Sequence, residues 1–195
     1  ISGWVISDRA SAYDIAPRNA TCWAHIRRTC RRIAERKGSQ WHGVRLFNLA
    51  NKVLHLDGAF RRGELTFEAR NAALADVRCA WDDIVGKTIR GAVAAKSREQ
   101  AKALAACSNE LWALLADPGI AATNNVAERR LRRPVILRKL SFGTDSRRGS
   151  RYVERALSAT VTLREQQRPA LPFLVHALSS YLNHDAAPSL LPAIG

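Results

Sequence analysis

The sequence predicts a mixed α/β chain, mostly helical, in which strand-and-helix segments are interrupted by an all-helical insertion. Three observations carry this expectation. Trp4-Val5-Ile6, after Gly3, is a short apolar run that ends at Ser7-Asp8, the pattern of a buried strand. Apolar residues in the middle of the chain then recur at steps of three and four, the period of helices with one buried face. Charge is also segregated. Of a net +14, residues 1–40 hold eight basic against three acidic side chains and residues 129–155 ten against two, whereas 41–127 hold eleven against nine. A nearly neutral helical middle flanked by basic segments suggests a basic groove built by the two ends.

At 195 residues, with 47% hydrophobic content, the chain suits one domain with an inserted subdomain and has enough apolar material for a core. The boundaries expected are 1–40 for the first strands and helix, 41–118 for the insertion, 119–165 for a closing helix, basic loop and following helix, and 166–195 for a last helix and tail. No run approaches the ~18 consecutive apolar residues of a membrane span, and no secretory signal opens the chain, so it reads as cytoplasmic. It starts at Ile1 and contains no methionine, which reads as a piece of a longer protein.

In order along the chain, Asp8 follows the first strand, where ligands of α/β sheets gather. The competing reading is that Asp8 caps a short helix, Arg9–Tyr13; Asp14 follows that turn rather than the strand. Ala20 to His25 reads as a second strand or strand-to-helix junction. A basic helix follows from Ile26 to about Lys37, stopped by Gly38, with Arg27, Arg28, Arg31 and Arg32 on one stripe. His25 has two readings, a phosphate or catalytic contact and a structural hydrogen bond. Three amphipathic helices come next, on Leu46/Leu49/Val53/Leu56, Leu74/Val77/Trp81/Ile84 and Leu104/Cys107/Leu111/Trp112/Leu115. They are expected to be broken by Gly58, Gly63, Gly86, Gly91 and Pro118-Gly119. Cys22, Cys30, Cys79 and Cys107 form no Cys-x-x-Cys pair. Cys22-x-x-His25 with Cys30 lacks a second spaced pair, so buried reduced thiols are expected rather than a metal site. Trp4, Trp23, Trp81 and Trp112 read as core anchors.

The stretch Thr123–Gly149, TNNVAERRLRRPVILRKLSFGTDSRRG, organises the rest. Thr123, Asn124 and Asn125 are helix-capping residues. Glu128 is one carboxylate among Arg129, Arg130, Arg132 and Arg133. The bland reading is a salt-bridged surface acid; the sharper one is a metal ligand beside arginines that hold a phosphate backbone. Ser141 to Ser146 is a glycine- and hydroxyl-bearing loop without the spacing of a nucleotide-binding P-loop. A helix from Tyr152 to about Glu165, another from Leu171 to Leu182, and a tail at Pro188–Pro192 close the chain.

These residues resemble a known family. NNVAERRLRRPVILRKLSFGTDSRRGS, with SDRASAYD and CWAHIRR upstream and LPFLVHALSSYLNH downstream, is similar to the sixty-six family of bacterial insertion-sequence transposases. The resemblance implies an RNase H-like catalytic fold, here partial, with an Asp-Asp-Glu set binding Mg²⁺ or Mn²⁺. It assigns Asp8 to the second acid and Glu128 to the third. The first acid of the family stands upstream of anything in this sequence, and Asp82-Asp83, inside the helical insertion, is no substitute. Two metals about 3.5–4 Å apart stabilise the attacking and leaving oxygens of phosphoryl transfer, so the chain alone is expected to cleave little or no DNA.

The partner implied is double-stranded DNA, both insertion-sequence ends and target, with homo-oligomers in the full-length family. Arg27, Arg28, Arg129, Arg132, Arg133, Arg138, Lys139, Arg147 and Arg148 are the expected phosphate contacts, which give affinity rather than base specificity. The competing function is a non-enzymatic DNA-binding remnant. A basic helical structural protein accounts for the charge but not for the Asn-Asn-x-Ala-Glu-Arg block.

Overall fold

Two three-residue strands, β1 (Val5–Ser7) and β2 (Asn19–Thr21), pair in parallel with Val5 opposite Asn19, Ile6 opposite Ala20 and Ser7 opposite Thr21. The computed structural model describes residues 3–8, 17–140 and 143–191, without the side chains of residues 126, 127, 130, 131, 133, 134 and 137. The expected helix Arg9–Tyr13, Asp14, Ser141, Phe142 and the last four residues of the tail lie outside that set. Among the described residues everything beyond β1 and β2 is helical or irregular, so the chain is mostly α with one short parallel pair.

Helix α1 (Trp23–Ala34) starts three residues before the Ile26 expected from sequence. Its first turn finds partners there. Cys22 N–H donates to Ser7 O at 2.8 Å, extending the strand ladder, and Trp23 N–H donates to Ala122 O at 2.8 Å. Those bonds satisfy donors that a helix start leaves open. It also ends three residues before Lys37. The chain tightens through Arg36 N–H to Ile33 O, then reverses at Gly38, whose φ of +77° favours glycine. Ile26, Cys30 and Ile33 are buried while Arg27, Arg28, Arg31 and Arg32 face solvent, the stripe the spacing predicts.

Helices α2 (Gln40–Arg61) and α3 (Phe67–Arg90) pass straight through Gly58 and Gly86, which the sequence reading took as breaks. A glycine in a helix interior costs only about 1 kcal/mol. That is less than the burial gained by Val53 and Ala59 around the first and by Ile84, Val85 and Thr88 around the second. Gly63 and Gly91 do stand beyond the helix ends. α3 is capped by Thr66, whose hydroxyl accepts from Ala69 N–H at 3.2 Å.

The third stripe is not one helix. It divides into α4 (Ala95–Ala106), α5 (Ser108–Leu111) and a 3₁₀ turn at Ala113–Leu115. Its burial was nonetheless foreseen: Leu104, Cys107, Leu111 and Trp112 are all buried. The break lets Trp112 reach the edge of Trp23, at 5.0 Å between ring centroids, and aims Leu111 O at the Trp23 indole N–H, 2.9 Å away. Trp81 meets the other side of Trp23 at 5.1 Å. This trio is the centre of a core shared by α1, α2, α3, α4 and α5, with Trp4 packed against it. Where α2 begins to cross the end of α1, a Cβ on Gly43 would lie 2.1 Å from the Ala34 backbone nitrogen; only glycine allows that approach.

The chain divides into two compact units, Ile1–Val126 and Ala127–Gly195. The core above belongs to the first. The second holds most of α6 (Asn125–Leu140), then α7 (Arg147–Glu165) and α8 (Ala170–Leu182). α7 starts five residues before the expected Tyr152. The signal was Ser146 in the hydroxyl-bearing loop: it is the N-cap, its Oγ accepting from Gly149 N–H at 3.0 Å, while Thr144 and Ser150 hydroxyls pair at 2.6 Å. α8 agrees with expectation to within one residue.

Candidate metal carboxylates and nucleic-acid interface

In the first unit, Asp8 stands exposed directly after β1, whose last residue, Ser7, is buried. It therefore occupies the carboxyl end of a parallel strand, as the sequence predicts. Arg27 and Arg28 are exposed on α1. Arg27 reaches Asn51 Oδ1 at 3.5 Å, and Arg28 lies 3.3 Å from His25 Nε2, so His25 is engaged with a neighbouring side chain of its own helix. Cys22 and Cys30 are fully buried. Burial pushes the Cys30 thiol up to about 12, so it holds its proton at neutral pH. Cys107 is also buried, whereas Cys79 is exposed.

Two residues that sequence reasoning missed control the approach to α6. Asp57 on α2 and Arg70 on α3 form a buried ion pair, Oδ1 to Nη1 at 3.0 Å. Arg70 is 0% exposed, and its guanidinium lies over Phe60 and Phe67 at 4.5 and 4.8 Å. It donates a further bond to Leu114 O at 2.6 Å. Desolvation pulls the Arg70 pKa down and the Asp57 carboxylate pushes it back up; an arginine stays charged through such a shift. The second Asp57 oxygen accepts from Ala122 N–H at 2.9 Å, and Arg61 approaches the same oxygen at 3.5 Å. Ala122 is thus held from both sides, N–H by Asp57 and carbonyl by Trp23, two residues before Asn124 and Asn125 open α6. The signal was present: Asp57 follows Val53 by four and Arg70 precedes Leu74 by four, so both charges stand in a buried apolar register. A cleft of about 410 Å³, lined by Arg27, Asp57, Arg61, Ala122, Thr123 and Asn125, opens beside this anchor.

In the second unit, Glu128 sits in the first turn of α6 and is half-buried. Arg129, Arg132, Arg138 and Lys139 project from the same helix into solvent; the Arg133 side chain lies outside the described set. Arg147 and Arg148, expected in a loop, are exposed in the first turn of α7. Among the described residues no three His, Cys, Asp or Glu side chains gather as a metal-holding group, and no helix is long and apolar enough to cross a membrane.

Residues 1–152 match a family model of transposases. The match spans more than half of the chain, which therefore belongs to the family described as Transposase IS66 family. Residues 153–195, whose tail the sequence resemblance included, lie beyond the match. No curated protein and no solved structure matches the chain. Membership assigns a transposase role, with DNA as the substrate class that role implies.

Proposed function

We propose that the chain contributes Asp8 and Glu128 to the metal-binding carboxylates of an Asp-Asp-Glu transposase built on an RNase H-like core. In the same proposal its exposed arginines hold the phosphate backbone of double-stranded DNA. The observation that carries this is α6: a half-buried carboxylate in the first turn, followed on the same helix, among the described side chains, by four solvent-facing cations. A helix start is positive through its open N–H groups and favours an acidic side chain there, and Glu128 stands in that first turn. Asp8, at the exposed carboxyl end of β1, offers hard oxygen donors of the kind Mg²⁺ and Mn²⁺ prefer.

When bound, such a cation supplies charge stabilisation to the oxygens of a phosphoryl group undergoing in-line displacement. Arg129, Arg132, Arg138 and Lys139 neutralise neighbouring phosphates and fix the register of the strand against α6. Arg27 and Arg28 do the same from α1. The buried Asp57–Arg70 pair acts through Ala122 to hold the backbone that leads into α6, a positioning role.

Calorimetry with Mn²⁺ tests the carboxylates. Binding should be lost in Glu128→Ala and weakened in Asp8→Ala, with unchanged melting temperatures; heat that is identical in wild type and Glu128→Ala refutes the assignment. The absence of a three-ligand group among the described residues favours a second reading, DNA binding without cleavage by this chain alone. Mg²⁺-dependent nicking that disappears in Glu128→Ala would exclude it. For the cations, duplex affinity should fall by orders of magnitude between ~50 and ~200 mM salt, as it does for proteins making many phosphate contacts. Salt-independent affinity would refute a backbone-binding surface.

A further inference from the structure

The second unit carries a groove between α7 and α8 of about 760 Å³. That is within the roughly 300–1,000 Å³ typical of clefts that hold ligands. Arg147, Arg148, Arg151 and Arg155 line it together with Tyr152, and Phe173 of α8 faces them. Arg147, Arg151 and Arg155 are four residues apart, so they share one helix face in steps of roughly 6 Å along the axis.

The four guanidiniums differ from the ion-paired arginines of the first unit. There Arg31, Arg61, Arg62, Arg70 and Arg78 each have a carboxylate within 4.0 Å. Among the described residues Arg147, Arg148, Arg151 and Arg155 have none, and all four face solvent. The first turn of α7 contains no acid, so the positive helix start adds to the same field. A row of uncompensated cations repels itself and is complementary to a chain of anions spaced along it; a single small anion would engage one end and leave the rest unsatisfied.

Tyr152 lies within this row. The residue is 72% exposed and, among the described residues, its ring stacks on no other ring or guanidinium. The opposite wall is apolar: α8 has no Lys, Arg, Asp or Glu between Ala170 and Leu182. Cations along a groove combined with an open aromatic face are the two components that bind unpaired nucleotides, phosphates on the charges and bases on the ring. A duplex hides its base faces inside the stack and would use only the charges.

We propose that the α7–α8 groove binds a single nucleic-acid strand, with successive phosphates on Arg147, Arg151 and Arg155 and an unpaired base stacked on Tyr152. The proposal rests on the nucleic-acid-directed reading above but not on its carboxylates. The test is fluorescence anisotropy of the full chain with a labelled oligothymidylate and with a duplex of equal length. Tyr152→Ala should weaken single-strand binding about tenfold and change duplex binding less than twofold. Tyr152→Phe, which keeps the ring, should restore single-strand affinity. Because Tyr152 is exposed, melting temperatures should not move. Arg151→Ala with Arg155→Ala should reduce the single-strand salt slope by about 1.4, two contacts at ~0.7 each.

The idea is overturned if Tyr152→Ala leaves single-strand affinity within twofold, if both substrates lose affinity equally, or if Tyr152→Ala changes only self-association, which would make the groove a contact between copies. Tyr152-dependent single-strand binding in a protein that ignores duplex would uphold the groove and refute the duplex surface on α6. The two readings therefore fail separately.

Discussion

Removing the carboxylate of Asp57 should be among the most damaging single changes in the first unit. Asp57→Ala deletes the partner of a guanidinium that is 0% exposed and leaves the buried Ala122 N–H without its acceptor. Breaking one side of a buried ion pair costs about 3–5 kcal/mol, because the surviving charge stays buried. Arg70 keeps its bond to Leu114 O and its place over two phenyl rings, which argues for the lower half of that range. At roughly 2–4 °C per kcal/mol for a chain of this size, the melting point should fall by about 6–16 °C. Urea unfolding followed by the fluorescence of the Trp23–Trp81–Trp112 cluster would measure it, with an unchanged m-value marking a pure stability effect. The double variant Asp57→Leu/Arg70→Met, which removes both charges, should recover the part of the loss that comes from the stranded guanidinium, while the Ala122 N–H stays without its acceptor. A single-variant loss below about 1 kcal/mol, or a double variant no better than the single, would show that the pair is not what ties α2 and α3 to the start of α6.

Two further outcomes follow from local geometry and burial. Gly43→Ala should destabilise by at least the roughly 1–3 kcal/mol typical of overpacking, because the new methyl meets backbone rather than a mobile side chain; a variant with wild-type melting temperature would refute the close crossing of α1 and α2. Cys30 supplies a pH dependence. Its folded pKa is raised from 9.0 to about 12, so above pH 9 the unfolded thiol ionises while the folded one keeps its proton. The unfolded state then binds fewer protons, and stability must fall as pH rises from 9 toward 12. Replacing Cys30 with Val, close in volume, should flatten the alkaline limb relative to wild type, whereas parallel limbs would contradict the buried thiol.

How much was legible in advance is clearest in α1 and in the third apolar stripe. Four arginines at helical spacing identified both the helix and its solvent face, because periodicity reports burial directly. The same logic marked Leu104, Cys107, Leu111 and Trp112 as buried yet could not show that the helix breaks at Cys107, since the break is set by where Trp23 waits, eighty-odd positions away in the chain. Gly58 and Gly86 were misread for a related reason: a glycine's cost of about 1 kcal/mol is local, while the burial that outweighs it is tertiary. The places of Asp8 after a strand and of Glu128 in a helix start were legible from signals a few residues long.

By itself, then, the amino-acid order determined the helical content, the neutral middle between basic flanks, the candidate acids and the family. All of these depend on residue type and short-range spacing. The tertiary structure decided which charges are buried and which are left without partners. Asp57 and Arg70 become a buried ion pair only where α2 and α3 pack together. Arg151, Tyr152 and Arg155 line a groove because α8 supplies the opposite wall. Spacing can mark a charge that stands in an apolar register, but which group compensates it depends on what comes across from another element.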